Sequence, residues 1–61
     1  MKIRTKVAFS GVPQGTTGIA ERDYEYDEVM YKVVWDLQRT KPLTDWFDEE
    51  EFKKYLEVIQ V

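Results

Sequence analysis

Val29-Met30-Tyr31-Lys32-Val33-Val34-Trp35-Asp36-Leu37 is the stretch whose reading decides the fold of this chain. Val29, Tyr31, Val33, Trp35 and Leu37 occupy alternate positions and share one face of an extended strand. The other face carries Met30, Lys32, Val34 and Asp36, a mixed set rather than a fully polar one. β-branched and aromatic residues fill most of the run, and these pack well on a pleated, half-buried surface. A helix is excluded because no 3.6-residue face collects the apolar side chains. The spacing therefore predicts a central strand with Val33 and Trp35 in the core.

Working outward to the amino terminus, Ile3, Thr5, Val7 and Phe9 alternate with Lys2, Arg4, Lys6 and Ala8. This predicts a half-buried strand whose cations face solvent along a sheet edge, where lysines discourage edge-to-edge pairing. Ser10 to Gly18 breaks both periodicities, and its glycines and Pro13 mark a loop into a second strand, about Thr17 to Tyr24. A Walker A phosphate loop is excluded: Gly11 and Gly15 have the wrong spacing and no lysine follows. Within the acidic run 21–28, Asp23, Glu25 and Asp27 imitate the first ligands of a calcium loop. Glu28 then stands where that loop needs glycine and Val34 where it needs glutamate, so no metal site is expected. Tyr24 and Tyr26, in the same run, either cap the core or line a ligand groove.

Beyond Leu37, Gln38 to Pro42 reads as a turn, because Pro42 biases Lys41 away from helix and offers no N–H to a ladder. Leu43 to Phe47 then forms a short return strand. Asp48 is an N-cap with Glu51 three residues on, and Phe47 and Phe52 have the spacing of a hydrophobic staple. Glu49, Glu50 and Glu51 suit the positive end of a helix dipole, and Glu49–Lys53 and Glu50–Lys54 are i,i+4 pairs. A helix is predicted from Glu49. Its end is open: local propensity carries it through Ile59, whereas closing a small barrel turns residues 55–61 into a strand.

The order of these pieces resembles a small SH3-like β-barrel. The resemblance rests on Val12-Pro13-Gln14-Gly15-Thr16-Thr17-Gly18-Ile19-Ala20, where a Pro-x-Gly-x-x-Gly-apolar turn enters the second strand. Tyr31 to Asp36, Pro42 to Phe47 and Glu51 to Leu56 extend it over most of the chain. It is similar to small bacterial, archaeal or phage proteins of that type, and more loosely to the KOW type of barrel. The expected fold is mainly β, a single domain over 1–61 with four to five antiparallel strands in an SH3-like barrel and a short C-terminal helical segment. The alternative is an α+β open sheet packed on a longer C-terminal helix. KOW-type domains often bind RNA or ribosomal partners, and the acidic composition here departs from them. An SH3-like fold hosts many activities and does not itself choose one.

Composition narrows the choice. A chain of 61 residues buries only about 60% of its unfolded surface, so one core supplies on the order of 3–5 kcal/mol. Cysteine and histidine are absent, which removes disulfides and thiolate or imidazole metal ligation. No cofactor is expected. Met1 to Lys6 is not followed by an apolar run, so no secretory leader is expected. No segment reaches the roughly 18–20 apolar residues that cross a bilayer, and a cytoplasmic protein is the simplest expectation. Ser10 is the only serine and has no base beside it in sequence, so no enzyme is expected. Asp45 and Asp48 beside Trp46 are the only carboxylates worth examining for acid–base work.

A non-catalytic adaptor or small inhibitor is therefore expected, binding another protein through an aromatic and acidic face. Tyr24, Tyr26 and Trp46, of residue types enriched at interfaces, are its expected anchors, with Asp45 and Glu25 at its rim. The acidic clusters at 21–28 and 45–51 fit a basic partner, which in one version is a nucleic-acid-binding protein blocked by a phage-type inhibitor. The alternative is nucleic-acid or ribosome association through Lys2, Arg4, Lys6 and Lys32, which the net charge of −3 opposes.

Overall fold

The computed structural model describes residues 1–9, 11–25, 27–37 and 43–61, apart from the side chain of Glu25. Among these residues five strands and one helix follow in the order β1 (Lys2–Thr5), β2 (Thr17–Glu25), β3 (Glu28–Trp35), β4 (Thr44–Asp48), α1 (Glu49–Tyr55) and β5 (Leu56–Gln60). The chain is mainly β: an open antiparallel sheet ordered β4-β3-β2-β1-β5, with one short helix near its C-terminus. The predicted central strand is β3, flanked by β2 and β4. Val33 and Trp35 are buried at 0% and 3% exposure, as the alternation requires.

The first strand is not an edge. β1 lies between β2 and β5 and pairs with both. The alternation of Ile3 and Thr5, both buried, is as expected, but the cations beside them lie on one face of an interior strand. They protect no edge. Arg4 instead reaches across to Glu57 on β5, Nη2 to Oε1 at 2.6 Å. The strand also stops early, at Thr5, so Phe9 enters the core from a loop held by reciprocal backbone bonds with Val12.

Both readings of the C-terminal segment hold in part. The helix starts at Glu49 but ends at Tyr55, and residues 56–60 form the fifth strand. Leu56 is the C-cap with extended backbone, φ −121° and ψ 151°, and its N–H still donates to Phe52 O. A helix continued to Ile59 would leave one side of β1 without ladder partners, and unpaired backbone groups beside buried Ile3 and Thr5 are costly. Pairing 56–60 with β1 satisfies them and places Leu56 opposite Thr5, inside the core. β-branched Val58 and Ile59 also favour the strand.

At the start of α1 the full capping box is present. Asp48 Oδ1 accepts from the Glu51 N–H at 2.7 Å, and Glu51 Oε1 accepts from the Asp48 N–H at 3.2 Å. The i,i+4 pairs expected along the helix are not closed; Lys54 lies over the Tyr55 ring at 5.4 Å. Such exposed pairs contribute little to a seven-residue helix. The cap matters more. Asp48→Ala should lower stability by about 0.5–2 kcal/mol, read as a shift of the urea midpoint; an unmoved midpoint would show that the cap carries no weight.

One core cluster joins the sheet to the helix. It contains Ile3, Val12, Ala20, Val33, Trp35, Phe47, Phe52 and Leu56, with Phe9, Tyr31, Leu37, Leu43 and Tyr55 packed against it. Rings supply much of its volume: Tyr31 stacks on Phe52 with centroids 4.0 Å apart, and Phe9 meets Phe47 at 5.5 Å. Phe47 and Phe52, the expected staple pair, are both buried members. The buried hydroxyl of Thr5 donates to Val7 O at 2.7 Å. Among the described residues no buried side-chain polar atom lacks a partner.

Candidate functional site

In an antiparallel sheet, residues opposite one another share a face, and successive residues alternate faces. Tyr31, Val33 and Trp35 of β3 point to the core, so Met30, Lys32 and Val34 point away from it. The register extends this outer face across the neighbouring strands. Ile19, Val34 and Thr44 form one row, Glu21, Lys32 and Trp46 the next, and Asp23, Met30 and Asp48 a third. Trp46 and Ile19 are each 46% exposed, and Met30 and Val34 are half-buried.

The residues expected to form one binding face are separated by this register. Tyr24 is opposite Val29, and Trp46 is opposite Lys32. Val29 and Lys32 are three positions apart on β3, so Tyr24 and Trp46 project from opposite sides of the sheet. Tyr24 is 68% exposed on the β2–β3 hairpin, where Arg22 lies over its ring at 5.6 Å. Asp45 turns to the core side, away from Trp46, because adjacent strand residues alternate. Its Oδ2 accepts the indole N–H of buried Trp35 at 2.7 Å. Tyr26 and the side chain of Glu25 lie outside the described residues. Of the five expected residues, the outer face thus contains Trp46.

Asp45 and Asp48, the carboxylates considered for acid–base work, have structural partners. Asp45 holds the Trp35 indole, and Asp48 caps α1. Among the described residues no group of three or more acidic side chains is arranged to hold a metal ion. Glu28, Asp48, Glu49 and Glu50, with the core-side residue Val29, line an open cleft of about 230 Å³ between the start of β3 and the start of α1.

The cations of the alternative, nucleic-acid reading divide. Lys2 and Arg4 stand opposite Ile19 and Thr17 and so share the outer face, but Arg4 is engaged by Glu57. Lys6 Nζ donates to Lys53 O at 3.3 Å. Lys32 sits between Glu21 and Trp46. On β2, β3 and β4 the outer charge is mainly carboxylate: Glu21, Asp23, Glu28 and Asp48 share that face with Lys32.

What the sequence reading missed is the company of Trp46, namely Ile19, Met30 and Val34. A signal was present, since the second face of the central stretch is only half polar. No helix of the described residues is long and apolar enough to cross a membrane. Comparison with known protein families, curated proteins and solved structures found no match.

Proposed function

We propose that this chain is a non-catalytic protein-interaction module of the SH3-like type, binding another protein through Trp46 and the apolar, acidic face around it. The observation that carries this reading is the placement of Trp46. It is a large ring left 46% exposed on the outer face, in a row with Glu21 and Lys32 and diagonal to Met30 and Val34, with Ile19 one strand further on. Small domains have little apolar surface to spare from the core, and exposed apolar patches with an aromatic anchor mark interaction sites. The SH3-like assignment is supported by the strand order β4-β3-β2-β1-β5 with a helical turn between the fourth and fifth strands. A cytoplasmic setting fits the cysteine-free composition.

Trp46→Ala tests the reading directly. The ring is about half covered but stands outside the core, so its loss should cost about 1–2 kcal/mol. Proteins retained from an extract of the producing cells by the wild-type chain should then be lost. Retention of every partner by a normally folded variant would exclude this face. Retention of random RNA or DNA that falls steeply with salt, unaffected by Trp46→Ala, would favour the reading through Lys2, Arg4, Lys6 and Lys32.

A further inference from the structure

The outer face of β2, β3 and β4 constrains what can cover it. Its apolar residues, Ile19, Met30, Val34 and Trp46, run obliquely over the three strands, with Glu21 and Asp23 along the β2 side. Glu28 and Asp48 hold the outer-face positions at one end. The backbone N–H and C=O groups between these strands are already used in the β2–β3 and β3–β4 ladders, and those of the β4 edge point sideways in the sheet plane rather than up from the face. An extended peptide laid on this face would therefore bury backbone groups with no partner, which is costly. An occupant must bring its backbone already satisfied, as a helix or a second sheet does. A second copy of this chain would bring one net-acidic face against another. A cationic helix would not.

Resting on the protein-interaction reading above, we infer that the partner's contacting element is a basic amphipathic α-helix lying across β2, β3 and β4. Dimensions agree: a helix about 10–12 Å wide covers three strands spaced about 4.8 Å apart. A helix of about 18 residues is about 27 Å long, close to the roughly 26 Å that eight-residue β3 spans. Its apolar stripe sits on Trp46, Val34, Ile19 and Met30. Its lysines or arginines flank that stripe, meeting Glu21 and Asp23 on one side and reaching Asp48 and Glu28 at the end of the face. Lys32, between Glu21 and Trp46, sets a polar contact in the middle of the footprint.

The test uses the full chain and three synthetic peptides of about 18 residues. These are an amphipathic leucine–lysine helix, the leucine–glutamate equivalent, and the leucine–lysine composition scrambled so that no apolar stripe forms. Amide chemical shifts map the site. The leucine–lysine helix should bind saturably and shift Ile19, Glu21, Met30, Lys32, Val34 and the Trp46 indole N–H. Trp46→Ala should weaken it by about thirtyfold. The pair Glu21→Lys and Asp23→Lys, exposed positions remote from the core, should weaken it by about tenfold and serves if Trp46→Ala folds poorly. Equal binding of the scrambled or leucine–glutamate peptide overturns the inference, as do shifts confined to the β4 or β5 edge. So does concentration-dependent self-association through this face without peptide. If no peptide binds while Trp46→Ala still abolishes retention of cellular proteins, the helix inference fails and the module reading stands. If Trp46→Ala retains every cellular partner, the module reading fails first.

Discussion

Trp35→Ala should leave the chain largely unfolded at room temperature. The indole is 3% exposed and meets Phe47 edge-on at 6.4 Å and Phe9 at 6.2 Å. Truncating a buried Trp or Phe to alanine costs about 3–5 kcal/mol, and a single-core domain of this length has on the order of 3–5 kcal/mol to lose. The indole N–H also leaves Asp45, so a hydrogen bond at 2.7 Å disappears with the ring. Far-UV circular dichroism and amide dispersion read the outcome. Trp35→Phe separates the two contributions, because it keeps much of the ring volume and removes the bond to Asp45. A native spectrum with an unchanged midpoint for Trp35→Ala would mean that the aromatic cluster does not hold the sheet together.

The second large effect is expected at Gly18. It lies in β2 opposite Trp35, and a Cβ built there would stand 2.7 Å from Val34 O and 3.2 Å from both Cα and Cε3 of Trp35. The crowding is with backbone as well as with the indole, so no flexible side-chain end can swing aside. Gly18→Ala should therefore force β2 from β3 and cost about 1–3 kcal/mol. Gly15 provides the contrast. Its φ is +87° with no atom within 4 Å of an added Cβ, so Gly15→Ala is penalised by backbone conformation and not by space. Gly18→Ala should perturb Trp35 fluorescence and the Val34 amide, whereas Gly15→Ala should leave both in place while lowering the midpoint. A Gly18→Ala variant as stable as wild type would rule out the close approach of the two strands.

The Pro-x-Gly-x-x-Gly spacing thus has a physical meaning at each glycine, and the spacing is visible in the sequence. The same holds for the core side of β3 and for the start of α1, where the alternation of Val33 and Trp35 and the Asp48–Glu51 pair act over a few residues. Those interactions are local, so local pattern determines them. The end of the helix is different. Phe52, Tyr55, Leu56 and Ile59 suit a continuing helix on propensity alone; what stops it at Tyr55 is the unpaired side of β1, some fifty positions away in the chain. For the same reason the cations of β1 read as an edge: nothing within residues 2–8 records that β5 will cover them.

The candidate site shows the same division most sharply. Exposed aromatic and acidic residues are legible as residue types, and Trp46 stands out on that basis. Which of them share a face is set by register, and a shift of one position reverses every side chain. Pairing Lys32 with both Glu21 and Trp46 turns Asp45 inward to the Trp35 indole, places Tyr24 on the other side of the sheet, and joins Ile19, Met30 and Val34 to Trp46. Sequence by itself determined β2, β3, β4, the cap and Trp46 as a candidate ring. The tertiary structure alone decided the neighbours of that ring, because pairing between distant strands is fixed by burying one face of all five at once.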